Sequence, residues 1–221
     1  MPRPRQALLS RQRIVEAAAA LIDAEGLAGF STRRLAAELG VRGPSLYNHF
    51  ATKDEILDAV ADSITSQVDV SFFGRVDWRV ALRRWGRSYR AALAAHPHIV
   101  PYLAQGPGRR PAALAMADAV YGGLVEAGWP PARATHIGAL MRYFVAGSAL
   151  GSFARGFVGD PSLYADQYPH LTQAHRLAEH QDQVDEGAFM LGLDALVDGL
   201  SRTYEATVGP LPPLPPGDAA Y

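Results

Sequence analysis

Apolar residues recur along most of the chain at spacings of three and four, the mark of helices that bury one face. After Ser10, an N-cap by residue type, Ile14, Ala17, Ala18, Leu21 and Ile22 share one side of a helix that Gly26 ends. Leu35 and Leu39 stand at i, i+4 in a shorter segment, Ala36 permits close packing, and Gly40 supplies left-handed backbone for a tight turn. Val41 and Leu46 continue the buried side past that turn. Ile56, Leu57, Val60, Ile64 and Val68 predict a helix over 53–68, opened by the capping box Thr52-Lys-Asp-Glu. Asp77 caps the next, with Trp78, Leu82, Trp85, Tyr89 and Leu93 on one side, and His96-Pro97 ends it.

Turn chemistry divides the remainder. Gln105-Gly-Pro-Gly-Arg-Arg-Pro111 precedes a helix over about 112–127, and Gly128-Trp-Pro-Pro131 precedes a long one over about 132–153. The latter carries Ile137, Leu140, Phe144 and Leu150, interspersed with Gly138, Gly147 and Gly151. Residues 156–183 are polar, broken by Pro161 and Pro169, and read as irregular with short helical pieces. Phe189, Leu193, Leu196, Leu200 and Tyr204 predict a last helix over about 185–206. The Pro-rich tail 209–221 is extended or disordered, and no internal repeat is visible. The fold class is all-α: an N-terminal three-helix unit over 1–54 and a larger helical domain over 55–208.

Charge adds a polarity that the pattern does not show. Residues 1–53, including the arm Met1-Pro-Arg-Pro-Arg5, hold eight basic and four acidic side chains; the rest hold 13 and 18. The formal net charge of −1 therefore conceals a basic N-terminal end and an acidic body. Arg79, Arg83, Arg87 and Arg90 lie opposite an apolar stripe and read as a solvated face. The chain has no cysteine, which excludes disulfides, thiolate metal sites and thiol nucleophiles. No segment offers the ~20 uninterrupted apolar residues of a membrane span, so no membrane partner is expected and the cytoplasm is the expected compartment.

The stretch Ser31-Thr-Arg-Arg-Leu-Ala-Ala-Glu-Leu-Gly-Val-Arg-Gly-Pro-Ser-Leu-Tyr-Asn-His-Phe50, followed by Lys53-Asp54-Glu55, has helix-turn-helix spacing. In that geometry one helix crosses the phosphate backbone and the second enters the major groove. These residues resemble the TetR family of transcriptional regulators, whose recognition helix reads Leu-Tyr-X-His-Phe before Lys-X-Glu. The resemblance implies double-stranded operator DNA as partner. It places Arg33 as the base-reading arginine, and Pro44, Ser45 and Tyr47 against base edges or thymine methyls. Thr32, Ser45, Tyr47, His49 and Lys53 fall at phosphate-contacting positions, and Arg42, Gly43 and Asn48 complete the expected surface. Gly43 and Asn48 stand where relatives often carry larger side chains.

Phe189-Met-Leu-Gly-Leu-Asp-Ala-Leu-Val-Asp-Gly-Leu200 and Arg110-Pro111 are similar to the tetracycline-repressor-like branch. That likeness implies a homodimer in which the helices around 132–153 and 185–206 form a four-helix bundle with their copies. Leu140, Phe144, Leu193, Leu196 and Leu200 are the expected interface. A twofold dimer sets two recognition helices ~34–36 Å apart, matching a palindromic operator. The larger domain is then the ligand-binding and dimerisation domain. Trp85, Tyr89, Tyr102, Met116, Tyr121, His136, Tyr143 and Phe144 are its expected pocket, a mixture suited to a hydrophobic or aromatic small-molecule effector.

Where tetracycline-binding relatives carry a magnesium-holding histidine, this chain has Leu103-Ala104-Gln105, and Tyr143 stands at another such position. Tetracycline-magnesium is not the expected effector. His96, His98 and His136 have the wrong spacing for a three-ligand metal site, so no metal or cofactor is expected. No catalytic residues are assigned, since phosphate loop, nucleophile elbow and close carboxylate pair are all missing from the sequence. The expected function is a repressor released from its operator by an effector. The alternatives are a metal sensor or enzyme on the same helical body, and a ligand-independent DNA-binding protein.

Overall fold

A computed structural model describes residues 9–106, 108–165 and 167–214. The arm 1–5 and the tail beyond 214 lie outside the described residues. Within them the chain forms α1 (Arg11–Gly29), α2 (Thr32–Glu38), α3 (Gly43–Tyr47), α4 (Lys53–Thr65), α5 (Trp78–Ala94), α6 (Val100–Leu103), α7 (Pro111–Glu126), α8 (Pro131–Ser148), α9 (Ser162–Ala165) and α10 (Gln181–Thr207). Short 3-10 turns stand at Pro97–Ile99, Ala154–Gly156 and Ala174–His180. By packing, the described residues divide into one compact unit, those up to Val68 with Ala92–Met116, and another, Asp69–Ala91 with those from Ala117 onward.

Local chemistry sets the helix ends. The Ser10 hydroxyl accepts the Arg13 N–H at 3.2 Å, and Gly26, at φ +73°, breaks α1 where the sequence places its end. Thr52 Oγ1 accepts the Glu55 N–H at 3.1 Å while Glu55 Oε2 accepts the Ala51 N–H at 2.7 Å, which starts α4. Three boundaries differ from the sequence expectation. α4 ends at Thr65 rather than 68, where the Thr65 and Ser66 hydroxyls donate back to the Ala61 and Ser63 carbonyls. α8 stops at Ser148 rather than 153, because Gly147-Ser148 and Gly151-Ser152 are poor helix formers and the Ser148 hydroxyl donates to the Val145 carbonyl. α10 begins at Gln181 rather than about 185.

In the first unit Ile14, Ala18, Leu21 and Ile22 of α1 bury their side chains with Ile56, Leu57, Val60 and Ile64 of α4, and α1 packs directly on α4. Phe30, Leu35, Leu46 and Phe50 complete that core, so α2 and α3 are held from beneath and keep their other sides in solvent. Segment 96–99 is fixed to the end of α1. The His96 ring Nδ1 lies 2.8 Å from the Asp23 carboxylate, and the His98 Nδ1 must donate, since its partners are the Ile22 and Asp23 carbonyls at 3.1 and 2.9 Å.

The second unit is built on aromatic and aliphatic packing. Trp78 meets Trp129 edge-on at 5.3 Å and stacks on Tyr204 at 5.7 Å, and the Tyr204 hydroxyl donates to the Ala127 carbonyl at 2.7 Å. The Phe144 ring stacks on Phe189 at 5.3 Å, and a Cβ at Gly192 would lie 2.7 Å from it, so only glycine lets α8 and α10 approach this closely. The arginine row of α5 corrects the expectation of a solvated face. Arg83 pairs with both Asp194 and Asp198 at 2.8 Å, Arg90 pairs with Glu186 and lies over Phe189, and Arg79 forks onto Asp77 at 2.7 and 2.8 Å. These arginine side chains are only 12–16% exposed, and Arg83 and Arg90 join α5 to α10 while Arg79 closes on the cap of its own helix, so the row is not a free surface.

Candidate nucleic-acid interface

The turn between α2 and α3 closes by backbone bonding. The Gly40 N–H donates to Ala37 O at 3.1 Å and the Val41 N–H to Ala36 O at 2.9 Å, the paired bonds of a Schellman cap. That cap needs the left-handed Gly40, at φ +66°. At the other end of α2 the Ser31 hydroxyl accepts the Arg34 N–H at 3.2 Å. Pro44 in the first turn of α3 needs no N–H acceptor, and Leu46, 1% exposed, pins the helix to the core.

On this frame Arg33, Arg42, Pro44, Tyr47, Asn48 and Lys53 are exposed, and Thr32, Gly43, Ser45 and His49 are half-buried. All ten predicted DNA-contacting residues therefore stand on α2, α3, the turns before and after α3, or the start of α4. Their cations differ in freedom. Lys53 Nζ donates to the Phe30 carbonyl at 3.0 Å and lies 5.4 Å from that ring. Arg11 donates to the His49 carbonyl and lies 3.9 Å over the Phe50 ring, while Arg34 pairs with Glu25. The Arg33 and Arg42 guanidinium groups make no hydrogen bond or ion pair with any described residue. Arg11 as a brace beneath the recognition helix was not legible in the sequence, because the contact spans 38 residues and no periodicity marks it.

The predicted effector residues are not all inward. Trp85 and Tyr89 are buried and stack at 6.0 Å, and Phe144 is half-buried on Phe189. Tyr121 is 37% exposed, with its ring against Gly138. Tyr143, 74% exposed, and His136 face solvent in the protomer, which corrects their assignment as inward groups. Tyr102 and Met116 belong to the first unit by packing. There the Tyr102 hydroxyl donates to Asp58 at 3.1 Å; burial first, and then that bond, push it up to about 12.

Two clefts among the described residues have other linings. One of about 340 Å³ is walled by Arg11, Glu55, Asp58, Asp62, Arg109 and Arg110, and one of about 160 Å³ by Phe73, Trp78, Gly123 and Glu126 among others. Neither is lined by any of the eight expected pocket residues. The buried indole N–H of Trp85, like those of Trp78 and Trp129, has no acceptor among the described residues.

The expected interface residues also separate. Leu140 is 40% exposed and Leu196 and Leu200 are half-buried, but Leu193 is wholly buried within its own protomer. A side chain with no protomer surface has none to give a partner, so Leu193 is corrected from interface to core. The large apolar groups that α8 and α10 leave in solvent are Leu140, Tyr143 and Leu191. Among the described residues no group of three His, Cys, Asp or Glu side chains is placed to hold a metal ion, and no helix is long and apolar enough to cross a membrane.

Residues 14–60 match the profile of bacterial regulatory proteins of the tetR family, and residues 73–204 match the tetracyclin repressor-like C-terminal domain. The Escherichia coli tetracycline repressor protein class A from transposon 1721 is 33% identical, over 88% of this chain and 91% of that protein. A possible TetR family transcriptional regulator from Streptomyces coelicolor A3(2) superposes with a TM-score of 0.72 at 30% identity, covering 88% of this chain and all of that one. ActR of Streptomyces coelicolor, solved in complex with actinorhodin, gives 0.70 at 28% identity, over 89% and 99% of the two chains. With a capped helix-turn-helix at its basic end and a repressor-like C-terminal domain behind it, the chain belongs to the TetR family of DNA-binding transcriptional regulators.

Proposed function

We infer that this protein is a repressor that holds a palindromic operator as a homodimer in the cytoplasm and leaves it when a small hydrophobic or aromatic molecule enters the C-terminal domain. The observation that carries the DNA half is the solvent-facing set Arg33, Arg42, Pro44, Tyr47, Asn48 and Lys53 on a motif that buries Leu35, Ala36, Leu46 and Phe50. Phosphate contacts by Thr32, Ser45, Tyr47, His49 and Lys53 set the register, and base contacts select the sequence. Dimerisation rests on α8 and α10, with Leu140, Tyr143 and Leu191 as the apolar surface that association would bury.

The effector half is supported by the match of residues 73–204, by a relative named a tetracycline repressor protein and by a relative solved in complex with actinorhodin. In this chain Trp85, Tyr89 and Phe144 supply aromatic area, and the Trp85 N–H is an unused donor for a ligand carbonyl or hydroxyl. The ligand must favour the conformation that does not hold DNA, since equal affinity for both conformations would shift nothing.

Selection from randomised duplexes should return an inverted repeat whose binding weakens steeply with salt as condensed counterions are released. Compounds that raise the melting temperature are then scored for release of that duplex. Recovery of no motif would remove the DNA half. Stabilising compounds that never change operator affinity would replace the switch with constitutive binding.

A further inference from the structure

We propose that Arg42, the residue immediately before the recognition helix, is a guanine-reading side chain of this regulator, so that each half-site is specified by two arginines, Arg33 and Arg42. The inference rests on the DNA-binding function above and assigns where its sequence preference resides. Three other cations of the same unit already hold partners within the protein: Arg34 holds Glu25, Arg11 the His49 carbonyl and the Phe50 ring, and Lys53 the Phe30 carbonyl, which leaves the exposed Lys53 ammonium donors for a phosphate. Arg33 and Arg42 are exposed and unpaired among the described residues, each at the start of one of the motif helices.

Arg42 is moreover the N-cap of α3 by position only. Its backbone is extended, at φ −82° and ψ 145°, and its side chain makes no capping bond. A guanidinium held by nothing at that point is a fork available to guanine O6 and N7.

The recognition helix itself offers little competing base readout. Its leading residues are Gly43, with no side chain and nothing within 4 Å of where a Cβ would lie, and Pro44, with no donor. The N-terminal residues of a recognition helix are those that reach base edges. Behind them stand the hydroxyls of Ser45 and Tyr47, and a hydroxyl donates and accepts equally, so alone it discriminates weakly between bases. Asn48 carries the side-chain type that reads adenine, but it is the C-cap of α3, at the trailing end. Discrimination at the leading end therefore falls to the arginine that precedes the glycine.

The experiment compares motifs selected from randomised duplexes by the wild-type full-length dimer, R42A and R42K, with melting curves to verify that each variant folds. The wild type should select a half-site containing two separate strongly preferred guanines. R42A should lose the preference at one of them, on the order of ten- to a hundredfold, and keep the other. R42K should weaken the same preference less than R42A does while retaining the salt slope, because an ammonium preserves the charge and can still donate to guanine but lacks the planar fork. If both variants keep the full motif, or if R42A weakens all sequences alike with a shallower salt slope while R42K restores them, Arg42 is a phosphate contact and the inference is overturned. A wild-type protein that selects no motif would instead overturn the DNA-binding function, so the two failures are distinguishable.

Discussion

Leu191 and Leu193 stand two residues apart on α10 and should respond to truncation in opposite ways. Leu193 has no exposed surface, and its methyl carbons lie 3.0 and 3.5 Å from where a Cβ on Gly86 would be. Leu193→Ala leaves a cavity that α5 can only partly refill, since Gly86 has no side chain to turn into it, so the cost should fall in the ~2–5 kcal/mol range of buried leucine truncations. For a chain of this size each kcal/mol shifts the midpoint by roughly 2–4 °C, so a fall of about 5–20 °C is expected. Leu191 is 74% exposed in the protomer, and Leu191→Ala should alter the protomer's own stability by only about ±0.5 kcal/mol. Its effect belongs to association. Thermal unfolding at two concentrations a hundredfold apart, with sedimentation velocity, separates the cases: Leu193→Ala should fall equally at both and remain dimeric, and Leu191→Glu should sediment as monomer. A Leu193→Ala protein that melts like wild type, or a Leu191→Glu protein that stays dimeric at micromolar concentration, would refute the assignment of core and interface.

Other outcomes follow from single contacts. Gly40→Ala meets no atom within 4 Å, so its cost is conformational alone, about 1–2 kcal/mol, and Gly40→Asn should recover part of it; chemical denaturation of the three proteins checks this. Removing Arg83 strands Asp194 and Asp198 without their cation, but both carboxylates are about half exposed, so Arg83→Met should lower stability by only about 1 kcal/mol, measured by urea midpoint. Tyr102 is raised from 10.0 to about 12, so its contribution is complete below pH 10 and is lost as pH rises through about 12; Tyr102→Phe should flatten the stability-against-pH curve in that window. Arg33→Ala should relax preference at one base pair at a cost of ~1–3 kcal/mol in binding, whereas Lys53→Ala should weaken all duplexes similarly, both read by fluorescence anisotropy against salt.

The sequence alone determined the features that local chemistry enforces. Ser10 and Thr52 cap helices because a hydroxyl one residue outside a helix satisfies backbone donors wherever the helix later packs. Gly40 made the motif turn for an equally local reason, the absence of a Cβ at positive φ. The buried faces of α1 and α4 followed from periodicity, since a side chain's place on its own helix is fixed before any tertiary contact forms. Which buried face meets which neighbour is not a local property, and only the tertiary structure decided it. Leu193 and Leu196 belong to one apolar stripe, yet the first is enclosed on the Gly86 side of its own protomer and the second is left half-open. Arg83 and Arg90 of α5 have the spacing of a solvent face, and became a seam because Glu186, Asp194 and Asp198 arrive from a helix a hundred residues away along the chain. Tyr143 has the composition of a pocket residue, but its direction depends on how α8 is rotated in its packing, which periodicity in a helix rich in alanine and glycine leaves weakly specified. The difference between a bound arginine at 11 and a free one at 42 is of the same kind: the residue type is encoded one position at a time, and its partner is chosen by the fold.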